Sequence, residues 1–432
     1  MRHTSRQSRR DTVTRPSGKR AKRQDDPAPD STEHGDTTGG SEGGGGGRWG
    51  AIPYILVVWC VSRVILTGIG VGVRSWIGQA PGSGNVQDSF GIGTGFAWLD
   101  IWSAWDSYWY YHIADVGYLA TPMSADGHSA WAFFPLYPWL TRAVAAVVGD
   151  TYIAALLVSN AALLIGAWAL YKLVQHRHDD ARARKAVLFL FLFPTAYAFS
   201  CLMTEGLFLA LTIGAWYCAR RGNWLLAGVL GMGSAMTRLV GLVTAPLLAL
   251  EYLRQRQWHF IRIRPDALWI GLVPVGLGVY MAFCYIATGN PWQFADAQDP
   301  WAYGSQRANP LRVLWWSLET AWEGRFSLQG GHLGLGYGAI ATIAVTGVLL
   351  WGRKQTGTLL CLWSMAVILI SLASHILSAQ SMPRYLAVLF PLFMILASLR
   401  ANSVTCVITV AVLSLLQAAT FSLWTLGYGV AM

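Results

Sequence analysis

Eight side chains stand out from the apolar background of this chain as able to do chemistry: Asp106, His112, Asp115, Glu205, Arg238, His375, Arg384 and Tyr385. A carboxylate set among aromatic rings can bind the hydroxyls of a sugar. It can also remove a proton from one of them, provided it lies within hydrogen-bond reach. Arginine supplies the complementary function, because its planar fork grips phosphate oxygens in pairs. Acids, arginines and aromatic rings together suit the handling of a phosphate-bearing sugar. Trp105, directly before Asp106, adds an aromatic wall. Arg63 lies midway along an apolar run, where an arginine costs about 2.5–3.5 kcal/mol on insertion scales. It is expected to face a polar cavity, either as a phosphate contact or in a structural pairing. Glu205 reads equally as a helix-capping carboxylate, while His112 and Asp115 divide between lining a site and decorating a helix surface. Asp100 reads as structural. Metal chemistry is not indicated. His332 and His375 form no cluster with neighbours, and the six cysteines lie in apolar stretches without CxxC spacing. No cofactor is expected.

The elements that must position these groups follow from composition. Of 432 residues, 54% are hydrophobic and only 12% charged, against about 25% charged in a soluble domain. Apolar runs approach or exceed the ~20 residues that cross a bilayer core. A cytosolic enzyme, a disulfide scaffold and a single-pass receptor are excluded, and an all-α polytopic membrane protein is expected. About 11 crossings (10–13) are anticipated, near 51–73, 152–174, 186–202, 205–219, 223–237, 240–253, 266–288, 333–352, 357–375, 385–400 and 403–428. The net charge of +10 does not imply nucleic-acid binding, because ten of the 32 Lys and Arg lie in the first 48 residues and most others flank apolar segments. Residues 1–48, basic then acidic then Gly-rich, read as a disordered cytoplasmic tail, with the membrane domain at 49–432. With that tail inside, the inner connections hold 14 Lys or Arg against four acids, and the remainder of 49–432 holds eight Arg against 11 acids. That asymmetry is the positive-inside pattern. It puts the N-terminus in the cytoplasm and the candidate site outside.

Two outer segments, about 74–132 and 289–332, are long enough to be functional or disordered. The first is too aromatic for disorder, and the spacing of Trp102, Trp105, Trp109 and Ile113 predicts an amphipathic helix in the outer interface. Phe133–Gly149 is read as a re-entrant or interfacial helix, because a full crossing there would turn the basic stretch 175–185 outward. The glycines of 228–233 predict close helix packing rather than a phosphate loop.

The stretch Trp105-Asp-Ser-Tyr-Trp-Tyr-Tyr-His-Ile-Ala-Asp-Val-Gly-Tyr118, followed by Ala132-Phe-Phe-Pro-Leu-Tyr-Pro138, resembles the signature of the PIG-V-type mannosyltransferases, which include GPI mannosyltransferase II and its bacterial relatives. Phe193-Pro-Thr, Met203-Thr-Glu-Gly, Thr237-Arg-Leu-Val-Gly and Pro383-Arg-Tyr extend the likeness over most of the membrane region. The resemblance implies a GT-C bundle with outer-face interfacial helices and an extracytoplasmic site. It also implies a polyprenyl-phosphate mannose donor and a glycolipid or glycan acceptor. Asp106 would be the catalytic base of an inverting displacement; Arg384 and Arg238 would stabilise the leaving phosphate. Glu205, Tyr385, Arg63, His112, Asp115 and Trp105 would complete the substrate site. Two departures touch its neighbourhood: the family commonly has Tyr-Thr-Glu-Ser where this chain has Met203-Thr-Glu-Gly, and Thr-Arg-Pro where it has Thr237-Arg-Leu. The composition leans towards a bacterial plasma membrane. A transporter or lipid flippase is the rival class; against it, no internal repeat is evident and the charges gather at one face.

Overall fold

The computed structural model describes residues 50–78, 92–124, 127–300 and 308–430. The tail expected at 1–48 therefore lies outside the described residues, as do parts of both outer segments. Among the described residues, the regular structure is helical throughout. The α-helices of six residues or more are α1 (Ala51–Ile77), α2 (Ser107–Asp115), α3 (Leu136–Val148), α4 (Thr151–Gln175), α5 (Asp180–Leu192), α6 (Glu205–Arg220), α7 (Trp224–Thr237) and α8 (Thr244–Gln255). They continue as α9 (Leu272–Thr288), α10 (Pro310–Glu323), α11 (His332–Trp351), α12 (Thr358–Leu372), α13 (Met382–Ala387), α14 (Phe390–Leu396) and α15 (Val404–Thr425).

Five helical stretches are long and apolar enough to cross a membrane: Ala51–Ile77, Thr151–Gln175, Pro265–Thr288, His332–Trp351 and Val404–Thr425. The other expected crossings coincide with helices that are shorter or interrupted. The run 186–202 is divided after Leu192, where Phe193 turns extended ahead of Pro194. Likewise 385–400 is divided between α13 and α14, with Leu389 non-helical and Pro391 in the first turn of α14. Proline disfavours the α conformation in the residue before it, which accounts for the break at Phe193; Pro391, lacking an N–H, fits the first turn of a new helix rather than the interior of a continuous one. At 13 residues, α3 is too short for a crossing, in keeping with the re-entrant or interfacial reading.

Apolar burial organises the bundle. α4 packs on α6, α6 on α7 and α7 on α9, giving one continuous row. Glycine makes the last contact close: a Cβ at Gly228 would collide with the Trp269 carbonyl, and one at Gly231 would lie 2.6 Å from Val273 Cγ2. α10 to α14 pack on one another beside this row, with α14 against α5 and α15 against α1. The basic connections meet at one end. Gln255 donates to the Ala219 carbonyl, Arg220 to the Thr356 carbonyl and Lys185 to the Leu399 carbonyl. Helix α6 starts at Glu205 and finishes at Arg220. At 1.5 Å per residue its two ends stand roughly 24 Å apart, so the acids and the basic connections occupy opposite ends of the bundle.

Candidate active site

The expected amphipathic helix over 102–113 is not continuous. A short helical turn covers Ala97–Asp100, and α2 starts only at Ser107. Between them Trp105 takes φ 52°, the left-handed region, which an aromatic residue occupies only under tertiary constraint. The kink stands one residue before Asp106, the N-cap of α2, whose side chain makes no capping bond. The carboxylate is therefore free to point elsewhere. Its target is Arg384: Nη2 donates to Asp106 Oδ2 at 2.8 Å.

Packing around α2 explains why the two halves of the aromatic signature belong together. Phe133 stacks on Trp109 at 5.6 Å and meets Tyr110 edge-on at 5.1 Å. Its carbonyl accepts hydrogen bonds from Tyr118 (2.7 Å) and from Tyr280 (3.0 Å). Arg142, on α3, donates to the carbonyls of Ile113, Ala114 and Asp115 and so satisfies the C-terminal end of α2. The segment carrying Asp106 is thus held from both sides by residues distant in sequence.

Around Asp106 the chain assembles a buried charge cluster. Glu205, 1% exposed at the first residue of α6, accepts from Arg238 Nη1 at 3.0 Å. Arg384, 2% exposed, places Nη1 at 3.6 Å from the same Glu205 oxygen. Tyr385 packs beneath, with the Arg238 guanidinium 4.4 Å from its ring centre and that of Arg384 at 5.8 Å. Two carboxylates and two guanidiniums balance in charge, as burial demands. Three polar atoms of the group keep no partner among the described residues: Arg384 Nε, Glu205 Oε2 and Trp105 Nε1. Donors and an acceptor therefore remain free beside the ion pairs.

Local backbone fits the cluster's needs. Helix α6 can start so close to its neighbours because residue 206 is glycine: a Cβ there would lie 2.8 Å from the Phe199 carbonyl oxygen and 3.0 Å from that of Ser159. The Gly206 departure thus accompanies a tight entry to α6. Arg384 stands within the six-residue α13, and the two acids beside it supply its counter-charge. Thr195 Oγ1 donates to the Pro383 carbonyl at 2.6 Å and ties the Phe193-Pro-Thr turn to the arginine's own segment.

The cluster joins Asp106, Glu205, Arg238, Arg384, Tyr385 and the adjoining Trp105. Other expected site residues stand apart from it. Asp115 is exposed and accepts from Thr151 Oγ1 at 2.9 Å, a bond between α2 and the start of α4. His112 packs edge-on against Tyr108 at 4.4 Å, and burial pushes its imidazole pKa down, partly opposed by Asp115. Arg63 faces a polar spot, as expected, yet its partner is a hydroxyl: Nη1 donates to Ser200 Oγ at 2.9 Å, and Ser200 in turn donates to Asn160 at 2.7 Å. The Trp102 and Phe191 rings lie 5.4 and 5.8 Å from its guanidinium. Arg63 thereby supports the 200–204 turn that leads into Glu205.

Met203, Thr204 and Tyr110 were not expected at the site. Arg384 Nη1 lies 3.1 Å from the Met203 sulfur, and Tyr110 Oη lies 3.4 Å from Thr204 Oγ1. Burial raises the Tyr110 phenol well clear of neutral pH, so it stays a neutral hydrogen-bonding group. All three lie inside the quoted motifs, which was the available signal. Among the described residues no group of His, Cys, Asp and Glu is arranged to hold a metal.

The chain matches no family model and no curated protein. Among solved structures it resembles ArnT from Cupriavidus metallidurans bound to undecaprenyl phosphate, with a TM-score of 0.51 at 15% identity, over 88% of this chain and 78% of that one. That likeness, together with the helical bundle above, gives the chain the polytopic GT-C fold. The apo oligosaccharyltransferase of Archaeoglobus fulgidus aligns with a TM-score of 0.44 at 12% identity over 87% of this chain and 56% of that one.

Proposed function

We propose that this protein is an integral-membrane glycosyltransferase that moves mannose from polyprenyl-phosphate mannose to an acceptor outside the cytoplasm, with a glycolipid the favoured acceptor. The observation that carries this reading is the buried Asp106–Arg384–Glu205–Arg238 cluster, with its unpaired donors and acceptor, in a bundle that resembles an enzyme bound to undecaprenyl phosphate.

In the proposed step, an acceptor hydroxyl attacks the anomeric carbon of the mannose. Its oxygen forms a bond to C1 as its proton passes to Asp106. The bond from C1 to the phosphate oxygen breaks, its electron pair leaving with the lipid phosphate. One displacement inverts the anomeric configuration. Arg384 has two tasks: it aims the Asp106 carboxylate, and its unpaired Nε can meet a phosphate oxygen. Arg238 brings a second positive charge to the departing phosphate. Glu205 fixes both arginines, and its free Oε2 can accept from a sugar hydroxyl. No metal or other cofactor enters the step.

Membranes expressing wild type or Asp106→Ala, supplied with radiolabelled polyprenyl-phosphate mannose, test the reading. Label is expected in extracted lipid with wild type only. Equal label from both proteins removes Asp106 from catalysis. No label from correctly folded wild type in membranes containing its native acceptors rejects mannose transfer.

A further inference from the structure

At the basic end of the bundle, the chain leaving α8 folds around a pocket that the proposed transfer does not use. Its volume is about 620 Å³, and Gln255, Arg256, Ile261, Arg262, Ile263 and Arg264 line it. Arg256 is committed to the wall. Its guanidinium lies 3.4 Å from the Tyr252 ring centre, Nε donates to the Arg262 carbonyl at 3.0 Å, and Nη2 is 3.3 Å from Asp266 Oδ2. Arg254, nearby, is paired with Glu251 at 2.6 Å. Arg262 and Arg264 differ from these two. Arg262 donates to the neutral amide of Gln257 at 3.1 Å, and neither residue has a carboxylate partner among the described residues. Two uncompensated guanidiniums therefore remain at the pocket, both exposed.

The approach to the pocket has its own signature. Gln257 and Trp258 take φ of 55° and 62°, two successive left-handed residues without a glycine. Beyond that reversal, Trp258 is 53% exposed, Phe260 69% and Ile261 94%. Water disfavours such side chains on a surface, whereas the zone between lipid headgroups and acyl chains accommodates aromatic rings beside cations. Positive-inside topology accounts for arginines near a span. It does not account for an apolar trio raised beside a pocket whose free charges are both positive.

We propose that this pocket binds the phosphodiester head group of an anionic phospholipid, with Arg262 and Arg264 holding the phosphate and Trp258, Phe260 and Ile261 among the adjoining acyl chains. Charge complementarity and the adjacent apolar trio select this occupant over a soluble anion. The site stands at the opposite end of the bundle from Asp106 and is independent of the transfer reaction proposed above.

Native mass spectrometry tests it on the full chain released from membranes containing equal phosphatidylglycerol and phosphatidylcholine. Wild type is expected to retain phosphatidylglycerol preferentially. R262Q/R264Q is expected to lose that preference by about 25-fold, at roughly fivefold per arginine near a membrane surface. R353Q removes a basic-end arginine outside the pocket and is expected to retain the preference. W258S leaves every charge in place and is expected to weaken retention severalfold. Undiminished preference in R262Q/R264Q overturns the site, and so does an equal loss in R353Q, which would mean diffuse attraction. Displacement of the bound lipid by excess inorganic phosphate would identify a free-anion site and overturn the lipid assignment.

Discussion

The two ends of the bundle hold arginine in opposite ways. Near Asp106, Arg238 and Arg384 are matched against Glu205 and Asp106, with Arg384 and Glu205 almost fully buried. At the other end, Arg254 and Arg256 meet acids only in pairs with one exposed partner, Arg220 and Lys185 donate to backbone carbonyls, and Arg262 and Arg264 have no acid partner among the described residues. A counter-charge offsets much of the desolvation cost of a buried guanidinium, whereas Arg63 relies on the Ser200 hydroxyl and aromatic rings. Exposed guanidiniums need none, because water and lipid phosphate serve. The same residue type therefore marks a chemical centre at one end and an orienting surface at the other, and burial of both partners, as in Arg384 and Glu205, tells them apart.

The sharpest test of that contrast is catalytic. Asp106→Asn is expected to lower the transfer rate by about 100- to 10,000-fold, the usual contribution of a general base. R262Q/R264Q should leave the rate unchanged in membranes that keep the protein folded. Comparable rate losses in both would erase the distinction between the ends.

Stability provides the next test. Removing one partner of a buried pair typically costs about 3–5 kcal/mol, whereas a surface substitution stays within about 0.5 kcal/mol. Arg384→Met and Glu205→Gln should each lower the unfolding midpoint of the detergent-solubilised protein, and Arg264→Gln should not. The Arg384→Met/Glu205→Gln double variant should cost less than the two singles added together. Strict additivity would mean the pair is not coupled.

A smaller effect is expected one layer beneath the cluster. Ser200→Ala strands Arg63 Nη1 and should cost about 1–3 kcal/mol, read from the same unfolding curve. Because Ser200 belongs to the turn leading to Glu205, the variant should also lower the rate. A stability loss without any rate change would make Arg63 purely structural.

The smallest effect is pH-dependent. His112 has a depressed folded-state pKa, so folding favours the neutral ring. Its contribution to stability is complete above the unfolded value of about 6.5 and is lost as pH falls through the folded value. His112→Phe should therefore flatten the acid limb of the stability profile. An unchanged limb would assign acid sensitivity to other groups.

Much of this arrangement was legible before any coordinates. Apolar runs located the helices, charge asymmetry separated the two ends, and the Asp106, Glu205, Arg238 and Arg384 motifs named members of one cluster. The pairing was not legible: Asp106 and Arg384 are 278 residues apart, and no local pattern says which acid meets which arginine. The partner of Arg63 was not legible for a related reason. A cation inside an apolar run announces a polar neighbour without naming it, and here the neighbour is Ser200. The interruptions at Pro194 and Pro391 were written in the sequence, but long apolar runs on both sides masked them. The left-handed Trp105 had no signal at all, since tertiary packing alone imposes that conformation.

Trp105 also bears on how this region can change in evolution. The reversal stands one residue before the N-cap of α2, and each residue in a helix advances the direction of its side chain by about 100°. A single inserted or deleted residue between the reversal and α2 would swing the carboxylate away from Arg384. The ring at position 105 can be exchanged for another of similar bulk while the geometry persists. In related chains, the spacing from the reversal to the acid should therefore tolerate no length change, even where the residues around it drift.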